Sequence, residues 1–310
     1  MKHNKLHIFY RHYDTENPSK SNVAGNGRIP SWFSFEKCFL SLFNSIKDRD
    51  DVCLHIIMDS LEPTNNFIYK YKDFLTIYTI DTSSCVSDHL DLARNIQKIQ
   101  PNRQHSATTV LTTDNYPLPR DFISLRETLK YIKTLRVDPD DKIFICENDY
   151  LFQNNWLDKI NLLYEEFPDL TSNNYIAPCD ARYRYKHLCG DNLKGPITDI
   201  NRFEKFNFFS TGTQSADDWN QGFMPDSSHH WMVIQPGGTP HAMSTKKIFD
   251  EDYDIVYQTI LDSAVWPKLY HERERLLISP IPGLSCHIMN RQLSPGADWK
   301  TISEQTKLDL

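Results

Sequence analysis

The chain lacks a run of about 18 apolar residues, so the sequence predicts no membrane-spanning helix. Its first residues, Met1 to Lys5, run straight into a short strand-like segment without the apolar stretch of a signal peptide. The expected compartment is the cytosol, with peripheral membrane attachment left open. An excess of positive charge is also missing: the formal net charge is −7. That argues against a nucleic-acid partner held through a broad basic surface. A local group such as Arg182, Arg184 and Lys186 remains able to meet phosphate. No Cys-x-x-Cys pair occurs among the seven scattered cysteines. Neither a finger-type zinc site nor a disulfide framework is expected, and Cys38, Cys53 and Cys146 read as small core residues. Internal repeats and low-complexity stretches are absent too.

What is present is an alternation of short apolar strands and amphipathic helices. Leu6 to Tyr10 reads as a first strand. A polar stretch from Arg11 to Gly27 follows, and Pro30 suits the first turn of a helix carrying Trp32, Phe35, Phe39, Leu42, Phe43 and Ile46. Val52 to Met58 is near-continuously apolar and ends in Asp59, as a buried parallel strand would. Leu75 to Ile80 is a third strand, and Asp88 to Ile99 suits a helix. A second clear helix follows, with Asp121 as its cap and Phe122, Leu125, Leu129, Ile132 and Leu135 on one face. Lys142 to Cys146 is the next strand, and Trp156, Ile160, Leu163 and Phe167 mark another helix. Later, Trp231 to Gln235 and Leu276 to Ile278 read as strands, and Ser244 to Trp266 as one or two helices.

Such alternation predicts an α/β fold with a mixed, mostly parallel central sheet flanked by helices. No composition break forces a boundary, so 1–310 is expected to form one domain. In sheets of this kind ligands bind beyond the carboxyl ends of the strands. Asp59 and the triplet Glu147-Asn148-Asp149 both fall at such ends.

Carboxylates that close a buried strand are costly unless hydrated, paired or bound to a cation. Two residues apart, Glu147 and Asp149 are placed to share one small site. Their hard oxygens suit Mg²⁺ or Mn²⁺, which keep positions open for substrate phosphate. The plain alternative is a polar turn into the next helix. Arg11 and Asp59 stand near the same crevice as candidates for the base, ribose or diphosphate of a nucleotide. Asn95 and Arg94 are weaker candidates on the helix before. Trp231, after Ser227-Ser228-His229-His230, offers an aromatic face to a sugar ring, against the alternative of an ordinary buried strand residue. Gly237 to Ser244 leads into a helix whose start suits a phosphate or the donor sugar.

Ile143 to Leu151, with its acidic triplet, resembles the strand and acidic motif of GT-A glycosyltransferases, close to the family 2-like bacterial and viral enzymes. Arg28 to Cys38 is similar to the first helix region of that group. Ile278 to His287, followed by Leu293-Ser294-Pro295, is similar to its later segment and is the most specific element. The resemblance implies transfer of a sugar from a nucleoside-diphosphate sugar to a glycan or lipid-linked saccharide acceptor, with a divalent cation and inversion at the anomeric carbon. Residues 1–179 would bind the nucleotide sugar and 180–310 would serve acceptor and catalysis. Asp149 and His287 would contact the metal, Glu147 the metal or the nucleotide ribose, and Asp262 would be the general base. Asn148 departs from the commoner acidic middle residue, and Ala264 stands where a second acid is expected. A metal-dependent hydrolase or phosphodiesterase, and a non-catalytic nucleotide- or sugar-binding protein, are the rival readings.

Overall fold

The computed structural model describes residues 4–13, 29–59, 67–81, 85–91, 109–111, 117–179, 208–211, 229–234, 241–259, 262–281, 283–288, 293–294 and 297–307. Strands β1 (Leu6–Tyr13), β2 (Val52–Asp59) and β3 (Thr76–Ile80) open the chain, with helix α1 (Phe35–Ile46) between the first two. A short antiparallel pair, β4 (Thr109–Leu111) and β5 (Pro117–Pro119), precedes α2 (Arg120–Thr134). Then come β6 (Lys142–Glu147), β7 (Tyr150–Phe152), α3 (Trp156–Glu166), β8 (Tyr175–Ile176), β9 (Phe208–Thr211) and β10 (His229–Ile234). The chain continues through β11 (Ala242–Thr245), α4 (Lys246–Thr259), α5 (Asp262–Arg273), β12 (Leu277–Ile281), β13 (Ser285–His287) and α6 (Trp299–Gln305).

Nine strands form one sheet in the order β3-β2-β1-β6-β11-β8-β12-β10-β9. Following the pairings across it, β11 and β10 run against the other strands, so the sheet is mixed and mostly parallel, as expected. Strict alternation along the central strands assigns its two faces. Leu6, Ile8 and Tyr10 of β1 join Phe144 and Cys146 of β6 in one core, with α1 and α3 residues such as Phe39, Trp156 and Ile160. Phe9, Ile143 and Ile145 point the other way, into a second core with Ile123, Leu129 and Ile132 of α2 and Phe249 of α4. A period of two is what sends neighbours on one strand to opposite layers.

Three helix starts differ from the expectation, one of them because Ser244 and Thr245 belong to β11, so that α4 begins at Lys246. Helix α1 begins only at Phe35, because extended Ser34 accepts from the Lys37 backbone N–H and caps it, leaving Pro30 upstream. Asp121 lies inside α2 rather than capping it. Of the helix expected over 88–99, the described part is a 3₁₀ turn at Val86–His89; residues 92–100, with Arg94 and Asn95, lie outside the described residues.

Candidate active site at the carboxyl ends of the central strands

Strands β1 and β6 are parallel neighbours, and their register sets Arg11 opposite Glu147. The chain leaves β1 toward β2 on one side and leaves β6 toward β8 on the other. Such a divergence opens a crevice at the strands' carboxyl ends, the place where open α/β sheets hold ligands. The acidic triplet closes β6 at that crevice.

Each member of the triplet has its own partner. Arg11 donates through Nη1 to Glu147 Oε1 at 2.6 Å and through Nη2 to the Asp121 carbonyl at 2.5 Å. Arg11 is 7% exposed and the Glu147 side chain 30%. The guanidinium Nε is buried with no hydrogen-bond partner. Asn148 is buried, its Nδ2 lying 3.5 Å from Nδ1 of His12. Asp149 turns toward β13, where Nε2 of His287 lies 2.8 Å from its Oδ2. The Asp149 carbonyl also accepts from the Ile288 N–H at 3.0 Å, locking the turn to the β7–β13 ladder. Its second carboxylate oxygen, Oδ1, is buried with no hydrogen-bond partner.

Thus Asp149 and His287 come together, although 138 residues separate them in sequence. Glu147 instead faces Arg11, so the two carboxylates have different partners. The reason is the strand period: Glu147 shares a face with Ile143 and Ile145, whereas Asp149 lies beyond the strand end in the turn. Among the described residues no cluster of three or more His, Cys, Asp or Glu side chains is placed to hold a metal ion. The donor set a cation would find is Asp149 with His287. The orphaned Oδ1 fits such an ion, since a buried anionic oxygen without a donor is costly. Mg²⁺ needs only one or two carboxylates when phosphate and water complete its shell.

Asp59 closes β2 and is 1% exposed; Arg120, the first residue of α2, donates to its Oδ1 at 2.8 Å. Alternating charges therefore run along the carboxyl edge, from the Asp59–Arg120 pair to the Arg11–Glu147 pair. Trp231, on β10 between β9 and β12, has no exposed surface and belongs to the larger core. Asp262 opens α5, but its side chain lies outside what the structure describes. The same holds for the side chains of His229 and His230, and Arg182, Arg184, Lys186 and Gly237 to Pro240 fall outside the described residues.

Sequence reading missed Arg120 and did not single out His241 within the Gly237 to Ser244 segment. His241 precedes β11, which lies antiparallel beside β6. It is fully buried and stacks on Tyr150 with ring centroids 3.4 Å apart; Tyr150 in turn lies parallel to His287 at 5.0 Å. Burial pushes the His241 pKa well below the ordinary histidine range, despite the raising pull of Asp149. It therefore packs as a neutral ring. For Asp149, burial works against ionisation, but the charge and hydrogen bond of His287 outweigh it and hold the carboxyl below its usual pKa. An ionised carboxylate at that position is the result.

No protein-family model matches the chain, and no curated protein matches it. Among solved structures it is similar to mouse xyloside xylosyltransferase 1 in its apo form, at 11% identity over 88% of this chain and 84% of that one, with a TM-score of 0.38. It is similar to S. aureus TarS 1-349 in complex with UDP, at 11% identity over 88% of this chain and 57% of that one, TM-score 0.41. A third likeness is to 4-diphosphocytidyl-2C-methyl-D-erythritol synthase, at 9% identity over 97% of both chains, TM-score 0.39. Likenesses of this size assign neither an activity nor a ligand to the chain. Among the described residues no helix is long and apolar enough to cross a membrane.

Proposed function

We propose that this protein is a divalent-metal-dependent glycosyltransferase of GT-A type that takes its sugar from a nucleoside diphosphate. One observation carries the reading: a buried cationic N–H, Arg11 Nε, and a buried anionic oxygen, Asp149 Oδ1, both without a partner at the carboxyl edge of the central strands. Native proteins leave few such groups unsatisfied, and a ligand offering both a phosphate acceptor and a cation would satisfy both. The sequence resemblance set out above supports the same reading.

In this reading Asp149, with His287, holds Mg²⁺ or Mn²⁺. Bound there, the ion would neutralise charge on a departing diphosphate. The chain's own residues do the rest. Arg11, anchored by Glu147 and Asp121, presents Nε to an anionic or carbonyl oxygen of the nucleotide. Asp59, fixed by Arg120, offers its carboxylate to ribose or base. The Tyr150 ring, stacked on both His287 and His241, fixes the rotation of the His287 imidazole. Asp262 takes the proton from the acceptor hydroxyl as its oxygen bonds to the anomeric carbon and the bond from that carbon to the diphosphate breaks, a single displacement that inverts the carbon. The acceptor is a glycan or a lipid-linked saccharide, with residues 1–179 on the donor side and 180–310 on the acceptor side.

Calorimetric titration with UDP, GDP, CMP and dTDP, each with and without Mn²⁺, tests the reading. One nucleotide should bind at least tenfold tighter with the ion, and Asp149→Asn should abolish that difference. Equal binding with and without Mn²⁺ for all four, or no binding, refutes it. Asp262→Asn should remove turnover while leaving nucleotide binding intact.

A further inference from the structure

A cavity of about 450 Å³ lies at the opposite end of β6 from the acidic triplet, lined by Lys142, Asn161, Tyr164, Asp51, Asp140 and Glu165 among others. Five residue steps along the strand separate Lys142 from Glu147, roughly 17 Å at about 3.3 Å each. Nothing in the proposed transfer uses this end of the sheet. The volume lies within the range of small-molecule sites, roughly 300–1,000 Å³.

Two groups in its wall are short of partners. The Lys142 ammonium has three donors, yet its one hydrogen bond is to Asn161 Oδ1 at 2.9 Å, and Nζ otherwise rests 4.1 Å over the Tyr164 ring. The Tyr164 hydroxyl is buried with no hydrogen-bond partner at all. Burial lowers the Lys142 pKa to about 8 against the raising pull of Asp51 and Glu165, which marks an under-solvated cation.

The lining also restricts what enters. Three carboxylates, Asp51, Asp140 and Glu165, repel an anion. The Lys142 ammonium, with Arg49 bonded to Asp51 at 3.0 Å, repels a cation. An apolar ligand would strand every one of these groups. Neutral groups that both donate and accept, hydroxyls foremost, serve both sets, donating to carboxylates and accepting from Nζ and the tyrosine O–H. We infer that this cavity is a binding site for a neutral, hydroxyl-rich ligand of the saccharide class, separate from the candidate active site. The inference rests on the cavity alone and stands apart from the transferase reading.

Ligand-observed NMR and calorimetry of the intact protein with N-acetylglucosamine, maltose and cellobiose test it, with glucuronate and glucosamine as charged counterparts. At least one neutral sugar should bind, fivefold or more tightly than either charged one. Tyr164→Phe should weaken that binding at least fivefold while leaving the thermal midpoint unchanged or higher, because the hydroxyl it removes bonds nothing in the free protein. Lys142→Met should weaken it similarly; should that variant fail to fold, Tyr164→Phe decides. Asp149→Asn should bind the sugar like the wild type. The inference is overturned if no neutral sugar binds, if a charged sugar binds as well, if Tyr164→Phe binds unchanged, or if Asp149→Asn abolishes binding.

Discussion

Arg11 and Glu147 form an ion pair whose two ends sit in different surroundings, and that asymmetry makes a measurable prediction. The guanidinium is 7% exposed and the carboxylate 30%. Glu147→Ala removes the anion and leaves a nearly buried cation with the Asp121 carbonyl as its remaining acceptor. Breaking a buried pair in this way costs roughly 3–5 kcal/mol. Because water reaches the Glu147 side of the pair, about 3 kcal/mol is the expected loss. Arg11→Met does the reverse. It fills the buried space with an apolar chain and leaves a carboxylate that water can hydrate, so its expected cost is only about 1–2 kcal/mol. The double variant should fall short of the sum by about 1.5 kcal/mol or more, as contacting residues do in such cycles. Urea denaturation followed by circular dichroism at pH 7 gives all four stabilities. If Arg11→Met proves as costly as Glu147→Ala, or if the two effects add, the pair is not what holds these side chains, and the anchored role of Arg11 is lost with it.

Three further predictions concern charge and capping. Burial lowers the His55 pKa to about 4, with His7 adding to the shift. A histidine whose folded value lies below its unfolded 6.5 stabilises fully above pH 6.5 and loses that contribution as pH falls toward 4. After discounting for partial solvent screening the loss is about 2 kcal/mol, to be read as urea midpoints at pH 7 and 4.5; His55→Phe, stacked on Phe9 in the same way, should flatten the slope, and an unchanged slope refutes the assignment. Asp149 has the opposite sign: its lowered folded pKa contributes stability above the unfolded value that disappears as pH falls through the folded one. Asp149→Asn should therefore make stability less sensitive to acid below pH 4, measured by thermal unfolding across that range. Ser34→Ala removes the cap of α1 and should cost about 1 kcal/mol in denaturant unfolding, with no change in nucleotide binding.

How far the fold could be read follows from which signals are local. Strands β1, β2, β3 and β6 and helices α1, α2 and α3 announce themselves because their apolar residues repeat with the period of the element, and the ends of β2 and β6 are marked by Asp59 and Glu147. The insertion of β11 beside β6 has no such mark: Ala242-Met243-Ser244-Thr245 is four residues long and pairs across nearly a hundred positions. His241 did not stand out for that reason. The Asp59–Arg120 pair was equally hidden, since it joins a strand end to a helix start 61 residues away. Glu147 and Asp149 look equivalent in a string of letters, but the strand ends between them. That one boundary gives the first to Arg11 and the second to His287.

The position of that boundary is what gives the edge its chemistry. Were β6 two residues longer, Asp149 would lie on the face of Glu147, two carboxylates would compete for Arg11, and mutual repulsion would raise one pKa. Instead the chain breaks at Asn148, and the Asp149 carbonyl is caught by the Ile288 N–H of the β7–β13 ladder. The ladder brings His287 within 2.8 Å of one carboxylate oxygen and leaves the other oxygen buried and unmatched. On the neighbouring strand, the register that matches Arg11 to Glu147 uses two of the guanidinium's edges and leaves Nε buried and unmatched as well. A folded chain tolerates an unmet cationic donor and an unmet anionic acceptor at the same crevice only against the rest of its stability, at roughly 1–3 kcal/mol for each. A bound molecule that carries acceptor oxygens together with a cation would recover both terms at once, which is why the proposed reading rests on the unmatched pair rather than on the acidic motif by itself.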